Sequence, residues 1–334
     1  MQQAFRSRRR FLGLAAAALA AFGAATPLAT SAAESADAFP ARPIRFIVPF
    51  PSGSGTDTTA RMFAKKIGEL TGQGVVVENK PGGNGFIGVR TALSAPPDGY
   101  TVLIGSNSTL STNAATFRKL PYDPLTDFAP VSLLSRGPCV IIVPANSPYR
   151  TLTELLKDAR KHPGALNYGS GSISYTIYTE WLNELARTKT AAVPYKGAGD
   201  VINGVMAANV DFAVVDASGA FELVRGGKLR ALAFTAPQRS PLLPEVPSIA
   251  EAGLPDFLAR NWVAAAVSAK TPPAVVKRLH DLFAQAGNAP DVRDYYTRLS
   301  AELILSSPAE MRQYQKDEIQ RWKRLAEVAK IPLQ

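Results

Sequence analysis

The chain has 334 residues, a formal net charge of +10 and a single cysteine, Cys139. That count excludes an intrachain disulfide, and the apolar run that follows, 140–143, predicts a small buried side chain rather than a catalytic thiol. The basic residues are scattered along helical stretches among acids, without interleaved aromatic residues, which excludes a nucleic-acid-binding surface. The length is that of two domains of ordinary size.

The first 38 residues predict an export signal that is removed from the mature protein. Four arginines precede an Ala-rich apolar run over 11–28, and Ala36-Asp37-Ala38 has the A-x-A form that a signal peptidase cleaves, with Ala33 as a second possible end. The run approaches the ~18 residues of a membrane span, but Pro27 interrupts its end. Residues 7–12, S-R-R-R-F-L, fit the twin-arginine export pattern. Since no later stretch is apolar enough to span a bilayer, we expect a periplasmic protein formed by 39–334.

Short apolar runs alternate with amphipathic helical stretches along the rest of the chain, which predicts an α/β fold with a mostly parallel sheet. The predicted strands are 44–48, 75–77, 100–104, 166–168, 191–194, 212–216, 229–235 and 261–267. The predicted helices are 56–71, 87–95, 152–161, 174–186, 201–208, 220–225, a segment beginning after Pro273, and 308–329.

No repeat or low-complexity linker divides this part of the chain. We therefore expect two lobes that share crossing segments near 138–144 and 261–272. The first lobe would hold 39–140 together with 262–334, and the second would hold 141–261.

The most informative segment is the loop at 49–57, P-F-P-S-G-S-G-T-D, which follows a strand and opens a helix. Glycines allow close approach of the backbone, and the unpaired amides and dipole of a helix N-terminus favour an anion. The segment therefore predicts a cradle for a carboxylate or a phosphate. It is not a Walker loop, because no lysine follows the glycines. The alternative is an ordinary turn between a strand and a helix.

Two other loops rich in Gly, Ser, Thr and Asn, 105–109 and 169–172, follow strands in the same way. Ligands of open α/β sheets lie outside the carboxyl ends of the strands. The three loops together therefore predict a polar cleft lined by backbone amides.

Catalytic patterns are missing from the sequence. His162 and His280 are the two histidines, both lie on predicted helices, and no G-x-S-x-G turn is present. No group of histidines, cysteines or acids has the spacing of a zinc site, and no Asp-rich loop matches an EF-hand. We expect no catalytic residue, no metal and no cofactor. The alternative, a periplasmic hydrolase using Ser54 or Ser172, needs a base that the sequence does not supply.

A series of short motifs runs in order along nearly the whole of 39–334. They are R-P-I at 42–44, V-P-F-P at 48–51, G-T-D at 55–57, V-E-N-K-P-G at 77–82, P-D-G-Y at 97–100, L-P-Y-D-P at 120–124, D-F-A-P-V at 127–131, V-P-Y-K-G at 193–197, G-K-L-R-A-L-A at 227–233 and P-E-V-P-S-I at 244–249. With these motifs the chain resembles the periplasmic solute-binding receptors of tripartite tricarboxylate transport, the TctC-like or Bug family. The resemblance implies a type II-like periplasmic binding protein fold whose two lobes close on one solute. It also implies that the solute's carboxylate is held by backbone amides and water, and that membrane permease subunits are the partners.

The loops and the resemblance together predict a set of ligand-binding residues. They are Phe50, Ser52, Gly53, Ser54, Gly55, Thr56 and Asp57 in the first loop, Ser106 and Ser108 in the second, Ser170 and Ser172 in the third, and Tyr195 and Asp216 beyond them. Helix capping is the alternative role for Thr56 and Asp57. For Asp216 the alternative is to accept backbone amides at the end of a strand.

The chain departs from the family pattern in two loops. Ser52 and Ser54 stand where the family often has Pro and Gly, and the loop at 169–174 is shorter than usual, with Ile173 at a position that is commonly polar. The distal half of the pocket should therefore differ from that of relatives. We expect a monomeric receptor for a small carboxylate, and the alternative is an orphan sensor or scavenger without a dedicated permease.

Overall fold

The structure, a computed structural model, describes residues 39–299 and 301–334, so the predicted export signal lies outside the described residues. The strands are β1 Ile44–Val48, β2 Val75–Asn79, β3 Thr101–Ser106, β4 Phe128–Pro144, β5 Asn167–Ser170, β6 Ala191–Pro194, β7 Phe212–Asp216, β8 Leu229–Phe234, β9 Arg260–Ser268 and β10 Glu302–Leu303. The helices are α1 Gly55–Thr71, α2 Phe86–Leu93, α3 Asn113–Thr116, α4 Leu152–Lys161, α5 Ile173–Ala186, α6 Ala198–Met206, α7 Ala217–Arg225, α8 Pro273–Gly287, α9 Pro290–Arg298 and α10 Pro308–Val328. A 3₁₀ turn spans Gly83–Gly85 and a π-helical turn spans Ser108–Thr112.

The strands of the described residues form one hydrogen-bonded network in the order β2-β1-β3-β9-β4-β7-β5-β6, with β8 and β10 each paired to β4. β1 is parallel to β2 and β3, and β5 is parallel to β6 and β7. Between these two parallel groups, β9 and β4 run antiparallel to their neighbours. The long β4 pairs with β9 along 128–138 and with β7 along 139–142. The network therefore has two α/β halves, and β4 continues from one to the other.

Each half has a hydrophobic core of its own. In the first, the fully buried rings of Phe46 (β1) and Phe63 (α1) each lie 5.5 Å from the ring of Phe283 (α8), measured between centroids. In the second, Tyr178 of α5 packs on Trp322 of α10, with the ring centroids 4.9 Å apart. Because α8 packs on the first half and Trp322 on the second, the C-terminal part of the chain contacts both cores.

The predicted strands and helices are present, with small shifts at their ends, and Cys139 is fully buried as predicted. Several elements were not predicted, among them the long strand β4, the short strand β10 and the helices α3 and α9. The sequence does contain a signal for α9, because Pro290 in its first turn and the acidic Asp291 are typical of a helix start. The segment predicted as a loop at 105–109 is instead the end of β3 and the beginning of the π-helical turn. None of the helices in the described ranges is long and apolar enough to cross a membrane.

Candidate functional site

A cavity of about 50 Å³ lies where the carboxyl ends of β1, β3 and β7 meet the crossing strands β4 and β9. Its volume exceeds the roughly 10–15 Å³ that one water molecule requires, so a small solute can occupy it. Seven of the predicted ligand-binding residues line it: Phe50, Ser54, Gly55, Thr56, Ser106, Ser108 and Asp216. The other six lie outside the lining: Ser52, Gly53, Asp57, Ser170, Ser172 and Tyr195.

The N-terminus of α1 points at the cavity. Ser54 is its N-cap in an extended conformation, and the Ser54 hydroxyl accepts the amide of Asp57 at 3.2 Å. The first amides of a helix have no acceptor inside the helix, so those of Gly55 and Thr56 remain for a ligand. Ser54 and Thr56 are buried along the cavity wall, which keeps bulk water away from these amides.

Asp57 anchors the first loop from behind the cavity. Its side chain is buried and accepts the amide of Gly53 at 2.9 Å, the side-chain amide of Asn79 at 2.8 Å and the guanidinium of Arg61 at 3.0 Å. Asn79 also donates to the carbonyl of Phe50 at 3.0 Å. Burial raises the pKa of Asp57, but the hydrogen bonds from Arg61, Gly53 and Asn79 outweigh it and the net pKa is lowered. In this structure Asp57 therefore holds the loop directly at Gly53 and, through Asn79, at Phe50.

The N-terminus of α7 faces that of α1. Asp216 is its N-cap residue but its side chain makes no capping bond, so the amides of Ala217 and Ser218 have no acceptor within the helix. A β-carbon on Gly55 would lie 2.8 Å from both Asp216 Oδ2 and Ser218 Oγ. The partial positive charges of two helix N-termini therefore meet at one cavity.

Asp216 is the one acidic residue among those described that line the cavity. Its carboxylate accepts a short hydrogen bond from the side-chain amide of Asn261, which also donates to the hydroxyl of Tyr175 at 2.8 Å. Burial raises the pKa of Asp216, and the hydrogen bonds from Asn261 and Tyr175 offset only part of that rise. The group is thus held by side chains rather than by the backbone amides considered from the sequence.

A chain of hydroxyl groups joins the second and third loops. Ser108 Oγ lies 3.0 Å from Ser172 Oγ and 3.0 Å from Ser174 Oγ, and Ser174 donates to Thr112 Oγ1 at 2.8 Å. All four side chains are buried. Ser172 therefore contacts the cavity residue Ser108 without lining the cavity itself.

Ser170 and Tyr195 face into the second half of the fold. Ser170 Oγ donates to the carbonyl of Ser172 at 2.9 Å and lies 2.7 Å from Thr176 Oγ1. The Tyr195 ring packs beside Gly204, where a β-carbon would lie 2.8 Å from its Cζ. Ser170 therefore holds the third loop, whereas Tyr195 packs against α6.

Several cavity residues were not singled out in the sequence. Asn107 lies between two selected serines, Asn261 stands at the start of the crossing strand, and Tyr295 and Tyr296 belong to the helix α9 that was not predicted. A run of polar residues after a strand was a usable signal for Asn107. Nothing local marks Asn261 or the tyrosines, because strand pairing and helix packing bring them to the cavity.

The residues that line the cavity are mainly uncharged, and many of them are polar. Among the described residues the lining contains hydroxyls, amides, one acid and one base. The base is Arg136, which forms an ion pair with Glu302. No histidine of the described residues lines the cavity with Ser54. His162 pairs with Asp158 on an exposed helix end. Within 39–299 and 301–334, no group of three His, Cys, Asp or Glu side chains could hold a metal ion.

The fold has two α/β halves around a cleft, and helix N-termini and polar loops form the edge of that cleft. These features define the class of two-lobe solute-binding proteins. The chain belongs to the tripartite tricarboxylate transporter family receptors, whose family profile matches residues 59–331. This family consists of solute-binding receptors rather than enzymes.

Individual proteins agree with that assignment. Protein BugT of Bordetella pertussis strain Tohama I is 33% identical over 322 residues, which are 94% of this chain and 95% of BugT. The structure of R. palustris Rpa4515 with adipate has a TM-score of 0.84 at 31% identity, covering 88% of this chain and 99% of that one. MatC (Rpa3494) from Rhodopseudomonas palustris with bound malate has a TM-score of 0.81 at 30% identity, covering 86% of this chain and 99% of MatC. The predicted family and the predicted two-lobe fold are therefore confirmed.

Proposed function

We propose that this protein is an extracytoplasmic receptor that captures a small carboxylate and delivers it to a tripartite tricarboxylate-type membrane permease. One observation carries the proposal: the N-termini of α1 and α7 point into a single cavity with amides that have no acceptor within their helices. The contact between Gly55 and the side chains of Asp216 and Ser218 fixes how close the two helix ends are.

A carboxylate is the ligand group that suits this arrangement. Backbone amides of Gly55 and Thr56 on one side and of Ala217 and Ser218 on the other can donate to its oxygens, and both helix dipoles favour a negative charge. Phe50 adds an apolar wall. The relatives solved with adipate and with malate support the same chemistry for this chain.

Two lobes closing on the solute are part of the proposal. We place them at 39–140 with 262–334 and at 141–261, because the pairing of β4 changes from β9 to β7 at Cys139. The structure would then be a closed state, since Ser108 bonds to Ser172 between the lobes. We further propose that the protein acts in the periplasm as a monomer after residues 1–38 are removed.

A thermal-shift screen tests the ligand class. Mono-, di- and tricarboxylates, aromatic acids and acidic amino acids are compared with neutral sugars and inorganic cations on protein comprising 39–334. A bound ligand at a hundredfold excess over Kd stabilises the folded state by about 2.7 kcal/mol, so a binding carboxylate raises Tm clearly. A Tm that responds to sugars or cations but to no carboxylate would contradict the proposal.

A pair of glycines in one helix tests the site. Gly55→Ala places a β-carbon 2.8 Å from Asp216 Oδ2 and Ser218 Oγ, whereas at Gly68 the nearest atom would be 3.5 Å away, an ordinary contact. We expect Gly55→Ala to weaken carboxylate binding at least tenfold by calorimetry, which corresponds to about 1.4 kcal/mol. Gly68→Ala should bind as the wild type does. Equal affinities in both variants would show that the ligand lies elsewhere.

Delivery to a permease needs its own test. Uptake of the identified carboxylate is measured in cells with and without this protein. Loss of uptake on deletion, restored by the wild type but not by Gly55→Ala, is the expected result. Normal uptake despite tight binding would favour the alternative, an orphan sensor or scavenger.

A further inference from the structure

Two buried polar atoms of residues that line the cavity lack a hydrogen-bond partner among the described residues. They are the side-chain nitrogen Nδ2 of Asn107 and the side-chain oxygen Oδ1 of Asn261. Buried polar groups in proteins are nearly always paired, so each such atom in a binding cavity indicates the ligand group that complements it. Asn107 offers a donor and Asn261 offers an acceptor.

Asn107 is held rigidly at the cavity wall. The residue is 1% exposed, lines the cavity, and opens the π-helical turn, where its carbonyl accepts the hydroxyl of Ser111 at 2.9 Å. π-helical turns are rare and occur frequently at functional sites. The turn therefore holds the backbone of Asn107 at the cavity wall.

The orientation of Asn261 is fixed by its neighbours. Its Nδ2 atom donates one hydrogen to Asp216 and one to the hydroxyl of Tyr175. The nitrogen of a side-chain amide has two hydrogens, and both are used here. The oxygen Oδ1, which can only accept, is therefore left for a ligand. On this side the cavity therefore presents acceptors, Asn261 Oδ1 and the Asp216 carboxyl group.

Both residues lie at the same end of one strand pair. Ser106 at the end of β3 pairs with Val263 of β9, Asn107 directly follows Ser106, and Asn261 lies two residues before Val263. The two residues therefore reach the same cavity from neighbouring strands.

We infer that Asn107 and Asn261 form a second polar subsite that selects carboxylates carrying a hydroxyl group. A hydroxyl accepts from Asn107 and donates to Asn261. A second carboxylate of the ligand at this subsite could only accept, and it would face the carboxyl group of Asp216. An ammonium group could only donate, which would leave Asn107 unpaired. This inference rests on the proposed function, since it presupposes that another carboxylate of the same ligand occupies the helix N-termini.

Matched ligands that differ by one hydroxyl test the inference. Calorimetry compares succinate with malate, glutarate with 2-hydroxyglutarate, and adipate with 2-hydroxyadipate, together with the 2-amino member of each set. In the wild type we expect the hydroxylated member of at least one pair to bind about tenfold or more tightly. In Asn107→Leu the two members should bind within about twofold of each other.

The controls separate specificity from folding. Asn209→Leu makes the same substitution at an exposed asparagine outside the cavity and should keep the preference. If circular dichroism shows that Asn107→Leu does not fold, the same ligand pairs are compared in Asn107→Ala. A preference that persists in both Asn107 variants, equal binding of all pairs in the wild type, or tightest binding of the amino members would each overturn the subsite. Absence of binding by any carboxylate would overturn the proposed function itself, and the subsite with it.

Discussion

Pro51 and Gly197 touch across the cleft so closely that a β-carbon on Gly197 would overlap Cδ of Pro51 and lie 2.9 Å from its Cγ. Gly197 has a φ of 177°, an extended conformation that any residue adopts, so backbone geometry does not require glycine here. The steric requirement for glycine at this position comes from Pro51, which leaves no room for a β-carbon. Gly197 precedes α6 in the second proposed lobe, whereas Pro51 belongs to the first loop, in the first proposed lobe. Under the proposed closure this contact forms only when the two lobes are together.

Gly197→Ala should therefore destabilise the closed state. Overpacking costs roughly 1–3 kcal/mol, and a cost confined to the closed state weakens ligand binding by about ten- to a hundredfold. Calorimetry measures this loss, and denaturant unfolding of the ligand-free protein should change little. Gly74→Ala is the control, because its β-carbon would meet nothing nearer than 3.9 Å. Unaltered affinity in Gly197→Ala would show that the contact is not part of the binding state.

Asp57 should stabilise the protein above acidic pH and lose that effect as pH falls. Its folded pKa is lowered from the model-compound value of 3.8, so its contribution is present above that value and is lost as pH falls through the folded pKa. Asp57→Asn should reduce the free energy of unfolding at pH 7 by about 1–3 kcal/mol. The deficit should shrink below about pH 4 in denaturant titrations.

Asp98→Asn is the matched control for Asp57. Asp98 pairs with Arg42 at 2.7 Å on the surface, with both side chains more than a third exposed, so its loss should cost less than about 1 kcal/mol. A deficit in Asp57→Asn that does not depend on pH would contradict the role assigned to the ionised carboxylate.

Asp216 should have the opposite pH dependence. Its folded pKa is raised, so its contribution to stability is present below the unfolded value and is lost as pH rises through the folded pKa. Asp216→Asn removes a charge that burial disfavours and should raise the Tm of the ligand-free protein at pH 7, by roughly 2–4 °C for each 1 kcal/mol gained. The gain should disappear toward pH 4. A lower Tm at pH 7 would mean that the carboxylate is stabilising in its charged form.

The hydroxyl pair Ser108 and Ser172 should slow the release of ligand. Ser108→Ala removes bonds to Ser172 and Ser174 that join the two proposed lobes, and each such bond contributes about 1 kcal/mol. We expect ligand dissociation to be about five- to thirtyfold faster in stopped-flow measurements, with the association rate nearly unchanged. Ser94→Ala, at the end of α2, is the control. A change confined to the association rate would argue against a bond made in the closed state.

Local sequence was sufficient for most of the elements and for the helix cap that lies beside the cavity. β1 is a short apolar run, the loop after it contains Ser54 as a helix cap, and Gly72 ends α1 in a left-handed conformation with φ of 68°. Each of these signals acts between residues a few positions apart, which is why the pattern predicts them. The ordered family motifs then predicted the two-lobe fold.

Tertiary structure alone decided which side chains reach the cavity. Asp57 and Gly55 are two residues apart, yet Gly55 lines the cavity while Asp57 turns back to bind Gly53 and Asn79. Asn261 reaches Asp216 because β9 crosses beside β4 and β4 pairs with β7, a register set by contacts between strands distant in the sequence. The helix N-termini follow from local rules of capping and chain direction, whereas the partners of each polar group depend on long-range packing that no local pattern encodes.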